Sequence, residues 1–199
     1  MWTSILADAV RHAELALGAL LVACLAGAPL GALAANSHRL RTPIVGAAAL
    51  GRTLPSIAVL MLLLPIVGVG AAPALIALGL LAVAPIVINV DLALRGVPDA
   101  VLDAATGLGM SARERFWRVS VPLALPLALA GVRTASVEVI ASATLATFIG
   151  GGGLGDDIVR ALQTNDTQLL LAACAVVAAM AFAAEFLLAR AGARVEVAP

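Results

Sequence analysis

From Thr53 to Val90 the chain carries no charged side chain, and this run restricts the possible folds more than any other feature. It is too long for one span, because a bilayer core about 30 Å thick takes about 20 residues of helix. The cluster Gly68-Val-Gly-Ala-Ala-Pro73 divides it, since glycine and proline in such density mark a turn. The run then reads as one helix over 45–67 and another over 74–94. Three further apolar runs, 15–35, 121–148 and 168–189, meet the same length criterion. The expectation is an all-α integral membrane protein with five transmembrane helices. It forms a single domain over 1–199, with a cytoplasmic loop at 95–120 and no room for a second folded unit. Arg11 before an apolar run and Ala34-Ala35 imitate a secretory signal peptide. The run is as long as a true span, however, and is read as the first helix.

Composition narrows the function. Hydrophobic residues make up 62% of the 199 and charged residues 12%, against roughly 45–50% and about 25% in soluble domains. The 12 cations are all arginine and balance 12 acids. No excess positive charge remains for neutralising phosphates, so nucleic acid is not expected as a partner. The absence of lysine excludes a P-loop lysine and a Schiff-base lysine. His12, His38, Cys24 and Cys174 lie too far apart to suggest a zinc site or a disulfide framework.

Arginine placement orients the chain. With the N-terminus outside, the inner connections hold Arg39, Arg41, Arg95, Arg113, Arg115, Arg118, Arg190 and Arg194, with Arg52 near the inner end of the second helix. The outer ones hold Arg11 and Arg160 among Asp8, Glu14, Asp156, Asp157 and Asp166. Enrichment of arginine on the cytoplasmic side predicts N-terminus out and C-terminus in.

The loop 95–120 has the most structured sequence outside the spans. Pro98-Asp99 opens a short helix that Gly107 and Gly109 end. Ser111 with Glu114 forms a capping box that starts a second helix running toward Pro122. One reading is a protruding element with small residues that a partner grips. The other is an amphipathic segment lying in the headgroup layer, anchored by Phe116 and Trp117.

Asp103-Ala104-Ala105, three residues, Gly109, nine residues and Val119-Ser-Val-Pro122 resemble the EAA motif of type I ABC importer permeases. Asp103 stands where that family usually has glutamate. Arg52-Thr-Leu-Pro-Ser56, Leu94-Arg-Gly-Val97, Ala130-Gly-Val-Arg-Thr134, Ala143-Thr-Leu-Ala146 and Gly151-Gly-Gly-Leu-Gly155 extend the resemblance over nearly the whole chain. They look most like the permeases of osmoprotectant importers, which carry glycine betaine, carnitine or choline. Methionine and other amino-acid importers share the five-helix core and the EAA loop, so they are the alternative.

The resemblance implies a methionine-permease-like membrane subunit in a bacterial or archaeal plasma membrane. Its partners would be a dimer of ABC ATPase subunits, a second permease copy or paralogue, an external solute-binding protein and membrane lipid. ATP and Mg would be bound by the ATPase, with no cofactor in this chain. Asp103, Ala104, Ala105, Gly109, Arg113, Val119 and Pro122 would form the loop that couples to it.

Polar residues within the spans offer a path. Thr53, Pro55 and Ser56 interrupt the second helix, either lining the pathway or merely packing a kink. Arg133 and Glu138 stand about 140° apart around one helix and therefore need separate company. Arg133 reads as a structural arginine bonded to backbone carbonyls or to the coupling region, or as a substrate contact. Glu138, on a face with Thr134 and Ser142, either meets a cationic solute or sits at a permease–permease interface. Asn89 and Asp91 suggest an inner gate, although Asp91 is placed near enough to the surface for water to satisfy it. The turn Gly150–Gly155 lacks the residues of a phosphate loop and reads as a tight outer turn or gate. Aromatics are 3% of the chain, too few for the cages that bind quaternary ammonium groups. Tight recognition is therefore assigned to the binding protein. An intramembrane enzyme would need a catalytic cluster that the sequence lacks, and a standalone channel or scaffold leaves the loop unexplained.

Overall fold

Leucine, alanine and valine dominate the apolar runs, and such runs in lipid must form helices because every backbone amide needs an internal partner. The computed structural model describes residues 2–196, with side-chain surroundings for 4–193. Trp2 and Arg194 are therefore seen in backbone only. The elements are α1 (Trp2–Asn36), α2 (His38–Gly51), α3 (Ser56–Val67), α4 (Ala71–Arg95), α5 (Asp99–Gly107), α6 (Ala112–Arg115), α7 (Val121–Ala143), α8 (Leu154–Thr164) and α9 (Thr167–Glu196). A π-helical turn at Phe116–Ser120 joins α6 to α7, and a 3-10 turn at Thr144–Ile149 continues α7. No strand occurs among the described residues. Four helices are long and apolar enough to cross a membrane, and the bent pair α2–α3 makes a fifth crossing if taken as one span.

The central layer is α4, packed between α1 and α7, with α9 on the far side of α7. Small residues set these distances, as expected where lipid supplies no hydrophobic drive between helices. A Cβ on Gly27 would stand 3.0 Å from Ile86, and one on Gly31 would stand 2.7 Å from Val90. A Cβ on Gly131 would fall 2.6 Å from Asn89 and 2.9 Å from the Pro85 carbonyl oxygen. Ala19, Ala23, Ala74, Ala77, Ala135 and Ala143 are fully buried around Leu60, Leu78, Ile86 and Val139.

Four expectations need correction. The expected helix over 45–67 is two helices bent by 101°. Pro55 lacks the N–H that would continue the ladder and restricts the residue before it, and the Thr53 N–H turns back to Leu50 O at 3.0 Å. The first helix begins at Trp2 instead of 15, because its polar start is packed against the rest of the protein. His12 there is wholly buried. The connection after the glycine turn is more than a turn: it contains α8, whose Leu154 and Ala161 are buried against Ile5 and Leu169. Asp91 is not solvated. It is 1% exposed and paired with Arg41 of α2 at 3.1 Å.

Candidate functional site

The EAA-like segment folds as a helix, a turn and a short helix that leads without a break into α7. Pro98 precedes α5 in an extended conformation, and Asp99 sits in its first turn, where a negative charge suits the helix dipole. Gly109, at φ 82°, reverses the chain, and its N–H donates to Thr106 O at 2.9 Å. The Glu114 N–H donates to Ser111 Oγ at 3.3 Å, while the Ser111 N–H donates to Glu114 Oε2 at 3.0 Å. This closes the capping box. Arg115 Nη1 donates to Thr106 Oγ1 at 2.7 Å, so the two short helices are held together as one arm.

Within the arm, Ala105 is buried while Asp103, Ala104, Gly109 and Arg113 are exposed. Asp103 and Arg113 take part in no ion pair among the described residues. Val119 is half-buried in the π turn and Pro122 is exposed in the first turn of α7. Leu108, at the tip, is 79% exposed. The sequence singled out the small residues around it and passed over this apolar tip. Its signal was the isolated leucine between Gly107 and Gly109.

A second site forms where α2 breaks from α3. Gly51, Arg52, Leu54, Ser56, Leu81, Glu138, Ala141 and Ser142 line a cavity of about 300 Å³. Of the residues expected on a pathway, Ser56, Glu138 and Ser142 therefore come together. Thr53 caps the break, with Oγ1 donating to Leu50 O at 2.7 Å, and Pro55 precedes α3; neither is on the wall. Asn89 lies apart, at the α4–α7 contact, with Nδ2 donating to Pro85 O at 2.8 Å. Arg52, which the sequence marks for orientation and in the family-like segment 52–56, pairs with Glu138 at 3.4 Å. Arg133 bonds to neither a backbone carbonyl nor the arm: it pairs with Glu185 of α9. Glu185 is the one charged residue in the apolar run 168–189.

At the other end of the bundle, α8 docks on the start of α1. Asp157 is wholly buried and receives Arg160 Nη2 at 2.5 Å, while Arg160 also stands 3.8 Å from Asp8. Burial pushes the Asp157 carboxyl above the ordinary carboxylate range, Asp8 adds to the rise, and Arg160 opposes it. His12 reaches across to α7, its Nε2 donating to Ile140 O at 2.9 Å. A carbonyl can only accept, which fixes the tautomer. Gly150, Gly152 and Gly153 all have positive φ, and the Gly70 N–H donates to Ile149 O at 2.7 Å, so the turn is tied to the start of α4. Among the described residues no group of three or more His, Cys, Asp or Glu could hold a metal ion.

Residues 27–197 match the family described as binding-protein-dependent transport system inner membrane component. The choline transport system permease protein OpuBB of Bacillus subtilis is 36% identical over 179 residues, covering 90% of this chain and 82% of that protein. The osmoprotectant import permease protein OsmW of Salmonella typhimurium is 36% identical over 185 residues, covering 90% and 86%. Among solved structures, the inward-facing MetNI methionine ABC transporter superposes with a TM-score of 0.88 over 96% of this chain and 95% of that one. At 18% identity, that likeness speaks for the fold alone. This chain belongs to the binding-protein-dependent transport system inner membrane components, the multi-pass permease subunits of ABC importers.

Proposed function

We propose that the chain carries a small osmoprotectant, of the glycine betaine, carnitine or choline class, across the plasma membrane as the permease of an ATP-driven importer. The observation that carries this reading is the kinship, over about nine-tenths of the chain, to permeases named for choline, carnitine and osmoprotectants. The likeness to a methionine transporter is one of fold and does not favour an amino acid.

In this reading a dimer of ATPase subunits binds and hydrolyses ATP with Mg, and a binding protein delivers solute from outside. A second permease, identical or paralogous, completes the pathway. The α5–α6 arm seats in the ATPase, with Leu108 at its tip and Asp103 and Arg113 free to pair. Closure of the ATPase dimer moves the arm, and the arm moves α7 through the π turn, a rigid-body switch between inward-open and outward-open states. The arginine distribution supports an N-terminus outside and a C-terminus in the cytoplasm.

The test is reconstitution of the permease with its ATPase and binding protein in proteoliposomes. ATP-driven uptake of labelled glycine betaine, carnitine or choline is the expected result. ATP-independent conduction by the permease alone would refute it.

A further inference from the structure

We propose that Arg52 and Glu138 together receive a zwitterionic solute, Arg52 taking its carboxylate and Glu138 its ammonium group as it enters between them. The proposal rests on the importer reading above and gives compounds bearing both charges the advantage among its substrates. Arg52 comes from the break between α2 and α3, and Glu138 from α7. They meet across a cavity of about 300 Å³, at the lower end of the volumes that hold small molecules. Their contact is single, Nη2 to Oε1 at 3.4 Å, whereas charge-assisted bonds ordinarily close to about 2.7–2.9 Å. The side chains are 44% and 42% exposed, and exposed ion pairs are weak enough for a solute to part them.

The chemistry of the wall selects for both charges. A lone cation drawn to Glu138 leaves the guanidinium without its partner, and a lone anion drawn to Arg52 does the same to the carboxylate. A zwitterion satisfies each. Among the described residues no aromatic side chain lines the cavity, so an ammonium group there must be held by charge and not by a ring face. Ser56 and Ser142 face the same space, and neither hydroxyl is hydrogen-bonded among the described residues.

The test measures ATP-driven uptake of glycine betaine, a zwitterion, and choline, a cation, by the reconstituted importer with the same binding protein in every arm. Arg52→Gln is expected to lower glycine betaine uptake by about tenfold or more, with choline uptake falling less and Arg52→Lys restoring most of the loss. Co-purification with the ATPase establishes assembly. The double substitution Arg52→Gln/Glu138→Gln leaves no unpaired charge and should also lose its advantage for the zwitterion. Equal effects on both solutes, or a wild-type importer that carries choline and no zwitterion, would overturn the proposal while leaving the importer reading intact. Uptake of no osmoprotectant by the wild type would sink that reading first and the proposal with it.

Discussion

Arg41 Nε lies 3.1 Å from Asp91 Oδ2 and 3.3 Å from Oδ1, bracing α2 against α4. The Asp91 side chain is 2% exposed and that of Arg41 39% exposed, so the carboxylate has given up its water and relies on this cation. Removing one partner of such a pair leaves a buried charge uncompensated. Arg41→Ala is expected to cost about 3 kcal/mol, seen as a lower Tm of the detergent-solubilised complex. Asp91→Asn combined with Arg41→Ala should lose less than the single Arg41 change. A double substitution that is simply additive would show that the pair is not coupled.

Arg133 and Glu185 make a more exposed brace between α7 and α9. An ionisable group within a span is costly when it loses its partner. Glu185→Leu should therefore lower the Tm, and Arg133→Leu/Glu185→Leu should recover most of the loss. Thermal stability of the four species forms a mutant cycle, and a coupling near zero would contradict the brace.

These pairs mark the boundary of what the sequence makes legible. The uncharged runs announce membrane helices, and Ser111 with Glu114 announces the start of α6, because both signals are local. The partners of charged residues are not local. Arg133 and Glu138 are predicted to need separate company, yet Glu185 is one acid inside an apolar run, and Arg52 is one of many inner arginines. Only the packing of α2, α7 and α9 brings them together. Helix α1 hides its first turns for the same reason. Asp8, Arg11, His12 and Glu14 look like a wet connection until α8 is placed against them. Proline 55 signals a kink, but the 101° turn depends on how α2 and α3 each pack on α4.

The α1–α8 contact should respond to pH. Burial and Asp8 raise the Asp157 carboxyl above its ordinary value, with Arg160 pulling the other way. A carboxyl raised on folding makes the folded state the better proton acceptor, so stability falls as pH climbs from the ordinary aspartate range through the raised value. It returns as pH falls back through that interval. Melting of the solubilised protein, followed upward in pH from the ordinary aspartate range, should show this slope. Asp157→Asn, which cannot ionise, should flatten it. An unchanged slope in that variant would assign the pH dependence elsewhere.

The arm offers the sharpest separation of stability from coupling. Leu108 is exposed and supports nothing within the permease, so Leu108→Ser should leave its Tm unchanged. If the tip seats in the ATPase, the same change should lower substrate-stimulated ATP hydrolysis of the assembled importer severalfold, since an apolar anchor in a pocket carries a disproportionate share of an interface. Ser111→Ala removes the cap of α6 at a cost of about 1 kcal/mol, loosening the link between arm and α7. It should weaken coupling without weakening ATPase binding. Gly109→Val forces a β-branched residue into positive φ, which is disfavoured there, and should reduce both. Stimulated hydrolysis and ATPase co-purification, measured side by side, read the two effects. Full stimulation in Leu108→Ser would show that the tip is not the contact.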